Sequence, residues 1–208
     1  PADSAPAHWQ TAGVARWNGY EYMLNPVATS QRSAVGLEVN FTKPFTLKFD
    51  AYFGNRYGSS AGDGIVIVAS KSKSGMDQSN TSNPVRGVLL KSYDWTWQNR
   101  SPSGIWIVHG TTTSGFRRIA QNYFIDTASA TPRYTPVTIT WDPSTRKMSY
   151  SWQSLRGTLT GSTTFSEDEL YQSKWLVIRA TTGAAYNEHR AKNIVFTGTR
   201  GVTPPKPV

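Results

Sequence analysis

The stretch Phe45-Thr-Leu-Lys-Phe-Asp-Ala-Tyr-Phe53 decides the fold class. Phe45, Leu47, Phe49, Ala51 and Phe53 recur at every second position, with Thr46, Lys48, Asp50 and Tyr52 between them. Strand side chains alternate between faces, so the pattern predicts a strand with one buried side and one wet side. Val137-Thr-Ile-Thr-Trp141 and Met148-Ser-Tyr-Ser-Trp152 repeat the alternation around Asp142-Pro-Ser-Thr-Arg-Lys147. Asp-Pro starts a turn, so the pair reads as a hairpin. Gly64-Ile-Val-Ile-Val-Ala69, Gly87-Val-Leu-Leu90, Gly104-Ile-Trp-Ile-Val108, Trp175-Leu-Val-Ile178 and Ile194-Val-Phe196 are short apolar runs rich in Val and Ile, which suits central strands. Ser166-Glu-Asp-Glu-Leu-Tyr171 alone reads as a helical turn, with Ser as its N-cap. Many strands and no long helix predict an all-β, two-sheet sandwich in a single domain.

Composition narrows the function classes. The 208 residues carry a net charge of +9, with 12% aromatic and 17% charged side chains, which excludes a disordered chain and a coiled coil. A chain of this size buries enough surface to need no staples. The absence of cysteine excludes disulfides, thiolate–zinc sites and a cysteine nucleophile. No apolar run is long enough for a transmembrane helix. Residues 1–8 and the proline-rich 201–208 read as spacers around a domain at 9–200. A secreted or cell-surface module within a larger multidomain chain is the corresponding expectation.

Catalytic and metal-binding signatures do not emerge. His8, His109 and His189 lack metal-like spacing, and Gly62-Asp-Gly64 is too short for a phosphate loop and precedes a strand. Glycoside hydrolysis uses two flanking carboxylates. Glu21, Glu38, Glu167, Glu169 and Glu188 offer no pair on one strand face, so a non-enzyme is expected. Basic residues such as Lys71, Lys73, Arg117, Arg118, Arg146 and Lys147 are scattered, which argues against nucleic acid and reads as a solvated basic face, with attraction to acidic glycans as the functional alternative. The polar stretch Ser70 to Asn83 reads as a long surface loop of the kind that carries function.

Five motifs in order carry a family likeness: Phe49-Asp-Ala-Tyr-Phe-Gly54, Ala61-Gly-Asp-Gly-Ile-Val-Ile-Val68, Val137-Thr-Ile-Thr-Trp-Asp-Pro-Ser-Thr145, Ile178-Arg-Ala-Thr-Thr-Gly183 and Asn193-Ile-Val-Phe196. This series resembles the L-type (legume-type, concanavalin-A-like) lectins, bacterial surface adhesin modules among them, over residues 10–200. The resemblance implies a jelly-roll sandwich that binds glycans without catalysis in a shallow loop site at one end. It implies that Asp63, after Gly62, accepts hydrogen bonds from sugar hydroxyls, strengthened by its charge. It also implies that the loop of Gly183, Ala184, Ala185, Tyr186 and Asn187 offers main-chain amides to the sugar. Within Asp94-Trp-Thr-Trp-Gln-Asn-Arg-Ser101, Trp95 can stack on a pyranose, with Asn99 as a hydrogen-bonding neighbour.

The calcium loop of the family is altered. Leu89, Lys91, Trp95 and Arg100 stand where the resemblance implies oxygen ligands, and a hard cation needs several of these. No cofactor is therefore expected; Lys91 and Arg100 would supply positive charge in place of the ions. A slipped register would leave Asp94 and Asn99 for one weak calcium site. Two alternatives stay open: a structural or peptide-binding module, and a degenerate polysaccharide-degrading enzyme on the same fold.

Overall fold

A computed structural model describes residues 6–54, 64–71, 85–91, 104–110, 117–118, 133–154, 157–165, 169–182, 184 and 186–201. Among the described residues, the strands form two seven-stranded antiparallel sheets. The first runs, in spatial order, β1 (Gln10–Gly13), β4 (Arg32–Glu38), β13 (Trp175–Thr181), β6 (Gly64–Ser70), β7 (Val85–Lys91), β8 (Gly104–Gly110) and β9 (Arg117–Arg118). The second runs β12 (Gly157–Thr164), β11 (Lys147–Ser154), β10 (Thr135–Asp142), β5 (Phe45–Tyr52), β14 (His189–Gly198), β3 (Tyr22–Asn25) and β2 (Arg16–Trp17). A short helix, α1 (Glu169–Gln172), overlaps the predicted helical turn at 166–171, whose first three residues lie outside the described residues.

The alternation at 45–53 does what the sequence requires. Phe45, Leu47, Phe49 and Ala51 are buried while the residues between them are partly or fully exposed. They pack into one core with Ile65, Ile67, Leu90, Ile139, Trp152, Leu176 and Ile178 from both sheets. Trp141 Nε1–H donates to the Phe41 carbonyl at 2.9 Å, and Trp152 Nε1–H donates to Thr135 Oγ1 at 2.9 Å. Both buried indoles thus keep a polar partner. The predicted hairpin forms with Val137 opposite Trp152 and Trp141 opposite Met148. At its turn, the Ser144 hydroxyl and amide both donate to Asp142, and these bonds hold that carboxyl below its ordinary range.

Six strands, β1 to β4, β9 and β12, escape periodicity. Arg32-Ser-Ala-Val-Gly-Leu-Glu38 mixes small and polar residues because both faces of β4 are covered. β12 is an edge strand with mostly exposed Thr, Ser and Gly, and only Leu159 enters the core, opposite Trp152.

The core makes a direct prediction. Trp152→Ala removes a fully buried indole and should cost about 3–5 kcal/mol in urea unfolding. Val195→Ala, at a 55% exposed position, should change stability by no more than about 0.5 kcal/mol.

Candidate functional site

Strand register collects the roots of the site at one end of the first sheet. Gly64 pairs with Thr181 on one side and Lys91 on the other, Thr181 pairs with Arg32, and Lys91 pairs with Gly104. Asp63 immediately precedes Gly64, the 92–103 segment runs between Lys91 and Gly104, and the 183–187 segment follows Thr182. Three separate stretches of chain that the sequence marks for sugar contact are therefore rooted on adjacent strands, about 4.8 Å apart. Gly62, Asp63, Asp94, Trp95, Asn99, Arg100, Gly183 and Ala185 themselves lie outside the described residues, as does 72–83 of the predicted surface loop.

Two clamps hold the ends of the 183–187 segment. At its entrance, Thr182 N–H donates to the Gln31 carbonyl and Gln31 N–H donates to Thr182 Oγ1, each at 2.9 Å. The Thr182 hydroxyl donates to the Ala28 carbonyl at 2.7 Å. The turn from Pro26 to Gln31 is thus fixed beside the segment, presenting the exposed side chain of Val27. Nothing in the sequence reading singled out this turn, because its attachment is tertiary.

At the exit, Asn187 is 1% exposed and its Oδ1 lies against Gly54, where a Cβ would come within 2.5 Å of it. Gly54 has φ of 77°, so two constraints demand glycine there. Asn187 faces the protein interior, whereas Ala184 is exposed and Tyr186 half-buried. Next in the chain, Arg190 forms an ion pair with Glu21 at 2.8 Å and another with Glu188. The Tyr134 hydroxyl donates to Glu21; burial, then that bond to the carboxylate, push its pKa to about 12.

Beneath the same end lies a polar knot linking the sheets. His189 Nδ1–H donates to Asn25 Oδ1 at 2.7 Å. Asn25 Nδ2–H donates to Ser33 Oγ and the Ala180 carbonyl, each at 3.4 Å, and the Ser33 hydroxyl donates to that carbonyl at 3.3 Å. His189 is fully buried with no hydrogen-bond partner at Nε2 among the described residues, and its edge meets the Phe53 ring. Desolvation lowers its pKa to about 3, so the ring is neutral.

The donor set at β7 does not suit a hard cation. Leu89 and Lys91 hold register positions opposite Val66 and Gly64, and neither residue type supplies a carboxylate. Leu90 between them belongs to the core, which fixes the register of the strand.

Neither a family model nor a curated protein sequence matches the chain. Solved structures do. The Lotus tetragonolobus seed lectin is similar with a TM-score of 0.70 and 17% identity, covering 97% of both chains. Peanut lectin, solved with a nine-residue peptide, gives 0.68 at 15% identity over 97% of both. The VIP36 exoplasmic/lumenal domain, in a Ca2+/Man3GlcNAc-bound form, gives 0.64 at 12% identity over 96% of this chain and 86% of that one. The metal-free form of the same domain gives 0.66. The fold is that of the L-type lectins, as the motif series implied.

The buried histidine predicts acid sensitivity with a definite sign. Its folded pKa lies below the unfolded value of 6.5, so only the unfolded chain takes up this proton as pH falls through 6.5. Stability is intact above that value and declines toward about pH 3. Urea unfolding should lose about 2 kcal/mol between pH 7.5 and pH 5 from this residue. His189→Asn should lack that part of the slope.

Proposed function

We propose that this chain is a non-catalytic carbohydrate-binding module, secreted or displayed on a bacterial surface, where it mediates adhesion to glycans as part of a larger protein. The observation that supports this most is the register joining Gly64, Thr181 and Lys91, which roots the three sugar-contact stretches at one end of one sheet. In this reading the Asp63 carboxylate accepts hydrogen bonds from neighbouring hydroxyls, main-chain amides after Gly183 complete the grip, and Trp95 stacks on the ring. The fold likeness to lectins supports the same class of ligand.

Other features point the same way. Glu21 and Glu188 are both held by Arg190, which suits structural carboxylates rather than a general acid–base pair. Binding proceeds without calcium, because Leu89 and Lys91 replace oxygen ligands. Shallow sites of this kind bind weakly one at a time, so tandem display would raise avidity. A peptide-binding module is the second reading, favoured by the peptide-bound peanut lectin among the similar structures.

A glycan array separates these readings. Sugar signals should appear with or without a chelator and fall roughly tenfold or more in Asp63→Ala, the loss expected for hydrogen bonds to a charged group. The thermal midpoint of that variant should be unchanged. Silence on every glycan, with binding to a peptide library, would favour the second reading; loss of signal on chelation would overturn calcium independence.

A further inference from the structure

The outer face of the first sheet carries a charge pattern that chain order hides. One row at the candidate site consists of Arg32, Thr181, Gly64, Lys91 and Gly104. The next row on the same face runs from Ala12 through Ala34, Arg179, Val66, Leu89 and Trp106 to Arg118. Residues two apart on a strand share a face. The row between them, with Ala180, Ile65 and Leu90, enters the core, so these two rows lie on the opposite side. Their ionisable positions are Arg32, Lys91, Arg179 and Arg118, and none of their positions is acidic. Arg179 is buried between Ala34 and Val66, whereas Arg32 is exposed at the rim next to Thr181.

We propose that this rim is a subsite for the anionic substituent of an acidic saccharide, with the Arg32 guanidinium as its anchor. The inference rests on the carbohydrate-binding reading above and specifies its ligand class. A guanidinium presents a planar fork of donors that matches a carboxylate or a sulfate with two parallel bonds. Lys91 holds a position in the same row, and no acidic residue stands in either row. Arg32 and Gly64 are two strand spacings apart, about 10 Å. Arg32 therefore stands two strand spacings from the strand that Asp63 precedes in the chain. Hydroxyl recognition and anion recognition thus occupy neighbouring positions instead of competing for one.

The test compares affinities of the full chain for matched pairs: lactose against sialyllactose, and an unsulfated against a sulfated oligosaccharide, at low and high salt. A random DNA duplex serves as a second polyanion. The acidic member should bind about two- to fivefold more tightly at low salt, as expected for an exposed ion pair, and the advantage should shrink as salt rises. Arg32→Gln should bring the acidic-to-neutral ratio toward one, and Arg32→Lys should recover only part of it. Lys174→Gln, an exposed cation beside the opposite end of β13, should leave the ratio intact. Equal binding within each pair, or a ratio insensitive to Arg32→Gln, overturns the subsite and leaves the carbohydrate reading standing. Failure to bind any sugar removes both. DNA bound as tightly as the acidic sugars, with the same dependence on Arg32, overturns it in favour of a general polyanion surface.

Discussion

Beneath one end of the sandwich, a buried amide has to be satisfied where hydrocarbon fills the rest of the interior. Asn25 comes from the second sheet, yet its hydrogen-bond partners include Ser33 and the Ala180 carbonyl of the first, with His189 completing the set. A buried polar group stripped of its partners costs about 1–3 kcal/mol, so a slip of any of these strands is penalised at this point. The knot fixes β3 and β14 against β4 and β13, the strands that flank the 183–187 segment and the turn beside it. Apolar packing elsewhere tolerates exchange among residues of similar volume. This cluster does not, because each member has one geometry that pairs it.

Positional accuracy at the surface follows from that constraint. The 183–187 segment leaves from Thr182, held by three hydrogen bonds to the turn before β4. It returns through Asn187, packed on Gly54, and Arg190, paired with Glu21 and Glu188. A short segment anchored at both ends loses little conformational entropy on meeting a ligand, which is what a shallow site needs. The Asn25 knot lies one residue further inside, at Ala180 and His189, and its neutral histidine adds no charge at this end of the sandwich.

Sequence pattern reveals the layers of this molecule better than its joints. The alternation from Phe45 to Phe53 and the Val/Ile runs expose the sheet faces, because burial of one side imposes a period of two. The five motifs in order also pointed to the sandwich that the solved lectins share. β12 stayed invisible, since an edge strand of Thr, Ser and Gly has no apolar rhythm. Asn187, read as a ligand contact, is instead buried against Gly54, and a lone polar residue in a loop gives no local sign of which way it faces. Asn25 and His189 lie far apart in the chain, and their pairing has no period at all. Charge behaved similarly: Arg32, Lys91, Arg179 and Arg118 look dispersed along the sequence, and only strand register places them in two adjoining rows of one sheet.

The central claim is that one end of the first sheet, framed by Arg32, Thr181, Gly64 and Lys91, is where a saccharide docks. Hydrogen exchange followed by mass spectrometry, with and without a saturating glycan ligand, tests it most directly. Slowed exchange should appear in peptides covering 58–66, 92–104 and 181–189, while the far end around 38–41 and 171–175 stays unchanged. Protection confined to that far end, or to the outer face of the second sheet, would contradict the account.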